Sequence, residues 1–165
     1  VRNTVKKGDP TRHQINLNEL VTKIADAVRL DAVAYSCEVE TSLAKDLPLI
    51  EGDSVQIQQV LVNLVSNAFD AMQQTQPDRR KVEICTNDDG DGKVRLSVRD
   101  HGAGIRTEEH ERLFDQFFTT KEQGLGMGLA IVRSIVESHG GKIQAENVAD
   151  GGALFYFTLP VTKKT

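Results

Sequence analysis

Asn63, Asn67 and Asp70 recur at i, i+4 and i+7 inside a run whose apolar residues repeat at three- and four-residue steps: Ile57, Val60, Leu61, Leu64, Val65, Ala68, Phe69 and Met72. That periodicity predicts a helix with an apolar face for a core and a polar stripe beside it. Asn and Asp are poor helix-interior residues because their short polar groups compete with backbone hydrogen bonds, so three on one stripe call for a reason. The stripe is either a solvated face or a row of oxygen ligands aimed at a polar ligand or a hard cation.

Asp100 is the second group. It continues the alternating row Val94, Leu96, Val98 and should face the same core, where a carboxylate needs hydrogen-bond donors. His101-Gly102-Ala103-Gly104 follows. Two positions without side chains let a flat ligand approach the backbone, or simply make a turn in which the aspartate bonds its own loop. The third group is Gly124-Leu125-Gly126-Met127-Gly128, immediately before a helix. Exposed backbone N–H groups and a helix N-terminus worth roughly half a positive charge make an anion site suited to phosphates. A flexible hinge would use the same glycines. Lys121, just upstream, is either a mobile cation for those phosphates or an exposed loop lysine. No Gly-Lys-Ser or Gly-Lys-Thr follows, so this is not a Walker loop.

Phe114, Phe117 and Phe118 lie between the two glycine loops, as core packing or as the anchor of a lid. His139, at a helix end, suits a cap on the helix dipole better than a catalytic base. His13, His101 and His110 have no partners at defensible spacings. Gly-x-Ser-x-Gly, HExxH and CxxC are absent, so serine-hydrolase and zinc chemistry have no motif behind them.

The elements that must position these groups can be read in order. Residues 1–13 are polar and carry Gly8-Asp9-Pro10, which predicts a linker or the frayed end of a preceding element; 14–161 form the folded domain and 162–165 a tail. Gln14–Asn16 predicts a short strand, and Asn16-Leu-Asn-Glu19 a capping box opening a helix through Val28. Tyr35–Thr41 alternates as a strand. Asp53-Ser-Val-Gln56 caps the long helix that Pro77 closes. Lys81–Thr86 and Lys93–Arg99 form a hairpin, Thr107 caps a short helix reaching Phe114, and a helix ends at Gly140-Gly141. Lys142–Asn147 and Ala153–Leu159 are the last strands. The prediction is an α+β, two-layer sandwich: a mixed, largely antiparallel sheet with three main helices on one face.

At 165 residues the chain can bury a core without staples. A net charge of −4 speaks against a nucleic-acid surface. No apolar run approaches the ~20 residues of a membrane span and no signal-peptide core follows the N-terminus. No membrane contact by this domain is expected, and its place is the cytoplasm, alone or as the cytosolic part of a membrane-anchored protein. Cys37 and Cys85 read as reduced small hydrophobes.

Taken in order, Asn63-x3-Asn67, Asp100-x-Gly102-x-Gly104, Phe114-x2-Phe117-Phe118 and Gly124-x-Gly126-x-Gly128 resemble the asparagine, glycine, phenylalanine and second glycine boxes of sensor histidine kinases. Asn67-Ala-Phe-Asp70-Ala-Met72, Phe117-Phe-Thr-Thr-Lys121 and Ser134-Ile-Val-Glu-Ser-His-Gly-Gly141 are most similar to the oxygen-sensor and nitrogen-regulation members. The resemblance covers nearly the whole chain. It implies the Bergerat ATP-binding sandwich shared with the Hsp90, gyrase and MutL ATPases, with ATP and Mg²⁺ as cofactors. Asp100 would accept from the adenine amino group, with Gly102, Gly104 and Ile105 beside the base. Asn67 would bind Mg²⁺, and Asn63 would contact phosphate or metal-bound water. Lys121 and the lid residues Gly124, Leu125, Gly126, Met127, Gly128 and Leu129 would cover the triphosphate. Asn63, Asn67 and Lys121 would thus be the catalytic set.

Asp70 departs from the lysine that many members place there, so a water-mediated or structural contact is expected instead. The related ATPases place a glutamate where Asn63 stands, and an amide cannot act as a general base. The resemblance therefore implies phosphoryl transfer to a histidine. The acceptor would lie on a histidine-bearing dimerisation domain, with a response regulator receiver domain as the indirect partner. No histidine here is followed by Glu-x-x-Asn or Glu-x-x-Thr, so little activity is expected of the chain alone. A nucleotide-gated binding module without transfer, and an ATPase of the gyrase kind, are the alternatives.

Overall fold

The computed structural model describes residues 11–115 and 128–162. Seven strands and three α-helices occur among them: β1 (His13–Ile15), α1 (Leu17–Ala34), β2 (Glu38–Ser42), β3 (Ile50–Gly52), α2 (Ser54–Ala71), β4 (Lys81–Asp88), β5 (Lys93–Arg99), α3 (Gly128–Ser138), β6 (Lys142–Asn147) and β7 (Ala153–Pro160). The main sheet runs β2-β4-β5-β7-β6, and β1 and β3 form a separate ribbon. β2 pairs with β4 in parallel, and the other three pairings are antiparallel. This is the mixed, largely antiparallel sheet expected from the sequence.

The helices bury their apolar faces in one continuous core with the inward rows of the sheet. On β5 that row is Val94, Leu96 and Val98, as alternation predicts. α2 buries Ile57, Val60, Leu61, Leu64, Val65, Ala68 and Phe69. Each fully buried aliphatic side chain contributes about 1.5–3 kcal/mol, whereas an Asn or Asp in a helix interior costs at most about 0.7 kcal/mol. Burial on one face therefore carries the polar stripe on the other. α2 starts where Asp53 predicts: its carboxylate accepts from the N–H groups of Val55 (3.0 Å) and Gln56 (3.3 Å). Asn16 caps α1 in the same way through Glu19 N–H (3.3 Å).

Beyond shifts of a few residues at element ends, the structure departs from expectation at four places. The strand expected from Tyr35 begins only at Glu38, because α1 runs on to Ala34 and Tyr35 becomes its C-cap. The aromatic ring leaves the strand row to stack on Phe69, 4.8 Å between centroids. Pro77 does not close α2, which ends at Ala71; it opens a 3₁₀ turn, Pro77–Arg79. Thr107 lies inside a 3₁₀ helix, Thr107–Arg112, that has no side-chain cap. β3 is an element that the sequence reading missed, three residues long and stabilised by pairing with β1 rather than by its own pattern. No helix among the described residues is long and apolar enough to cross a membrane. Both cysteines are free and half-buried; burial pushes the Cys37 thiol up to about 11 and raises Cys85 as well, so neither is a reactive thiolate.

Candidate functional site

Asp100 is 3% exposed. Gly102 N–H (2.8 Å) and Ala153 N–H (3.2 Å) both donate to its Oδ1, and its own N–H donates to the Ala153 carbonyl (3.0 Å). Among the described residues no hydrogen bond falls on Oδ2. Desolvation raises its pKa, opposed by those two N–H donors and by the positive charges of His101 and Arg99. The two readings of the sequence thus meet in one residue. Asp100 organises its own turn through one oxygen and keeps the other for a further donor.

The glycines after it have a reason within the protein itself. A Cβ on Gly102 would collide with the Ala71 carbonyl and touch the Ala71 side chain, so its bareness lets the loop dock on the last turn of α2. A Cβ on Gly104 would lie 2.8 Å from Asn147 Oδ1. Packing calls for a bare Cα at Gly102, and Gly104 also adopts φ +87°, a conformation that favours glycine. The loop is further held by His101 N–H to Met72 Sδ (3.3 Å) and Thr75 Oγ1 to the His101 carbonyl (3.2 Å).

That docking point joins the first two groups. Asn63, Asn67 and Ala71 are spaced i, i+4, i+8 along α2, so the Asp100 loop abuts the C-terminal end of the stripe. Asn67 lies roughly 6 Å and Asn63 roughly 12 Å further along the axis. Both asparagines are half-buried, and among the described residues neither amide has a hydrogen-bond partner. Asp70 is also half-buried but is engaged within the protein. α3 begins at Gly128, where a Cβ would meet open space, and Leu129 packs against the core. Lys121, Gly124, Leu125, Gly126, Met127, Phe117 and Phe118 lie outside the described residues. Phe114 is core packing, edge-on to Phe155 at 6.2 Å.

Four residues escaped the sequence reading. A Cβ on Gly152 would collide with the Asp100 carbonyl, which no local pattern announces beyond the Gly151-Gly152 pair. Asn147, at the end of β6, bonds both backbone groups of Ile105. His101 Nε2 lies 2.8 Å from Glu83 Oε2, and His110 Nε2 2.9 Å from the Ala145 carbonyl.

His139 is also corrected. It is buried, with Nδ1 2.8 Å from the Ile135 carbonyl and Nε2 accepting the Asp53 N–H at 3.0 Å. Those partners require a proton on Nδ1 and none on Nε2, so the ring is a neutral bridge between the end of α3 and the start of α2, not a cation on a dipole. Desolvation lowers its pKa accordingly. A cleft of about 320 Å³ on the other side of the loop is lined by Glu38, Asp78, Arg79, Arg80, Lys81, His101, Asp150 and Gly151. Its three acidic and three basic side chains balance, and no residue of the α2 stripe reaches it. The site is therefore assigned from side-chain chemistry, not from concavity.

A half-buried row of unpartnered amides ending at a carboxylate with a spare oxygen suits a ligand with a cationic or metal-bound polar end and a donor-bearing base. Residues 52–163 match the model of the histidine kinase-, DNA gyrase B- and HSP90-like ATPase family. The chain belongs to this family. Within it, the sensor protein FixL of Bradyrhizobium diazoefficiens is 39% identical over 97% of this chain and 31% of its own length. The sensor protein TdiS of Thauera aromatica is 36% identical over 98% of this chain and 30% of its own. The chain therefore spans about a third of these relatives and corresponds to the catalytic ATPase domain of sensor histidine kinases. The nucleotide-free catalytic domain of histidine kinase ThkA superposes with a TM-score of 0.81 at 37% identity, over 92% of this chain and 96% of that one. Full-length ShkA in complex with AMPPNP superposes at 0.82 with 26% identity, over 94% of this chain and 32% of that one. A complex of ThkA with the response regulator TrrA gives 0.76 at 34% identity, over 92% and 42%. The expected sandwich and its kinase kinship are thereby established.

Proposed function

We infer that this domain holds Mg²⁺ATP and presents its γ-phosphate to a histidine imidazole on a separate dimerisation domain. The observation that carries the reading is Asp100: buried, fixed by two N–H donors on Oδ1, with Oδ2 open to the adenine amino group. The unpartnered Asn67 and Asn63 amides, one and two turns from the loop, offer neutral oxygens to Mg²⁺ and to phosphate or metal-bound water. Mg²⁺ would supply charge neutralisation at the phosphates. Gly128 and Leu129 open the helix at the phosphate end. Lys121 and Gly124–Met127 would close over it.

In the transfer, an imidazole nitrogen lone pair attacks the γ-phosphorus, the bond to the β-γ bridging oxygen breaks, and ADP leaves with that electron pair. The domain's part is positioning and electrostatics. Asn63 supports transfer over hydrolysis, since its amide cannot take a proton from water. The AMPPNP bound to ShkA supports the nucleotide, and the ThkA–TrrA complex supports a receiver domain as the next partner in line. Such a domain works where ATP is, in the cytoplasm.

The test is calorimetric titration with ATP and ADP, with and without Mg²⁺, on the wild type and Asp100→Asn. The amide should weaken both nucleotides roughly ten- to a hundredfold, the loss of a charged hydrogen bond of about 1.5–3 kcal/mol. Unchanged affinity would refute the adenine contact. Adding a dimeric histidine-bearing domain and labelled ATP should yield acid-labile phosphohistidine; its absence would favour a nucleotide-gated binding module.

A further inference from the structure

Asn147 and Ala153 stand directly opposite each other in the β6–β7 ladder. Each grips one end of the six-residue stretch Asp100–Ile105. Ala153 accepts from Asp100 N–H (3.0 Å) and donates to its carboxylate (3.2 Å). Asn147 Oδ1 accepts from Ile105 N–H (2.6 Å) and its Nδ2 donates to the Ile105 carbonyl (2.9 Å). The side-chain amide thus pairs with a backbone as a neighbouring strand would, on the open edge of β6. One turn on, His110 covers the Ala145 carbonyl of the same strand. Gly104 combines a positive φ (+87°) with a close approach to Asn147, whose Oδ1 a Cβ would meet at 2.8 Å.

We propose that Asn147 is a positioning residue for base recognition, setting the far end of the loop so that Asp100 Oδ2 meets the 6-amino group of adenine. The proposal rests on the adenine role given to Asp100 above. A backbone pair of hydrogen bonds has a fixed reach and direction, so a bidentate clamp defines where Ile105 lies against the base; a single contact would leave it free to pivot. Gly152, by close packing, and Ala153, by its two hydrogen bonds, fix the near end. The far end depends on one exposed side chain, which makes it separable from the fold: with water at hand, losing the clamp strands no buried group.

The experiment compares ATP with inosine triphosphate, which has a carbonyl where ATP has the 6-amino group. Affinities for both are measured on the wild type, Asp100→Asn, Asn147→Ala and Asn147→Ser, together with amide hydrogen exchange at Ile105. Both Asn147 variants should lower the ATP preference three- to tenfold, chiefly by weakening ATP, and speed exchange at Ile105 at least tenfold. A role in stability alone would weaken both nucleotides equally and leave their ratio intact. Loss of preference in Asp100→Asn with full preference in both Asn147 variants overturns the proposal. Full preference in Asp100→Asn overturns the adenine reading itself and this inference with it.

Discussion

The Asp100 loop and the polar stripe of α2 meet at Ala71, yet they are built on opposite terms. In the loop, Ala153, Met72, Thr75 and Asn147, with the turn that Gly102 closes on Asp100, bond the backbone of Asp100, His101, Gly102 and Ile105 and one carboxylate oxygen. On the stripe, Asn63 and Asn67 have no such partner among the described residues. The difference teaches that the two ends of the site obtain their geometry differently. The loop is shaped by packing before any ligand arrives, which suits a rigid, shape-defined base. The stripe is aligned by its helix and leaves the Asn63 and Asn67 amides without a partner among the described residues, which suits a hydrated metal and a flexible triphosphate.

The comparison breaks most visibly at Gly152. Its φ is +86°, and a Cβ would run into the Asp100 carbonyl. Gly152→Ala should cost on the order of 3 kcal/mol from strain and overpacking, lowering Tm by roughly 6–12 °C in the absence of nucleotide. Gly90→Ala is the control, since Gly90 shares a positive φ (+82°) but has nothing within 4 Å. Its loss should be about 1 kcal/mol. Equal losses in thermal melts of the two variants would show that the loop is not braced by the β6–β7 hairpin.

Legibility follows the same divide. The stripe, the Asp53 cap and the inward row ending in Asp100 were readable because each is a periodicity or a spacing within a few residues. Asn147 and Ile105 are 42 apart, and His139 and Asp53 are 86 apart, so only folding brings them together. The glycines after Asp100 were legible as the absence of a Cβ, but not the helix terminus that lies against Gly102. Gly-x-Gly records that something comes close without saying whether it is a ligand or a helix terminus. β3 was invisible because three residues carry no period, and its pairing with β1 is supplied from outside.

The opposite end is tested by Asn67→Ala and Asn63→Ala. With no partner to lose among the described residues, each should leave urea stability within about 0.5 kcal/mol of the wild type, on the favourable side, because alanine is the better helix former. The Mg²⁺-dependent part of ATP affinity should nevertheless fall, about tenfold for Asn67→Ala and less for Asn63→Ala. A stability loss above 1 kcal/mol would mean that the stripe is structural and that the contrast with the loop is false.

The smallest expected effect concerns what lets the stripe remain free. α2 is secured at its far end, where Asp53 caps the helix with its carboxylate and offers its own N–H to His139. Gly52 makes room for that ring, since a Cβ there would lie 2.6 Å from its Cδ2. Burial holds the His139 pKa below 6.5; the Arg12 guanidinium pushes the same way, while the Ile135 carbonyl and the Asp53 carboxylate oppose. The unfolded chain therefore takes up the proton first as pH falls. Stability is full above the unfolded value near 6.5, declines below it, and levels off once the folded ring is protonated too. Protonation would also set a second donor against the Asp53 N–H. The decline should be about 1 kcal/mol, the worth of one hydrogen bond, between pH 7.5 and 5.5 in urea titrations. His139→Gln should be less stable at pH 7.5 and lack this part of the pH dependence. If its curve parallels the wild type, the bridge does not require a neutral ring, and the anchoring of α2 must lie in the core face alone.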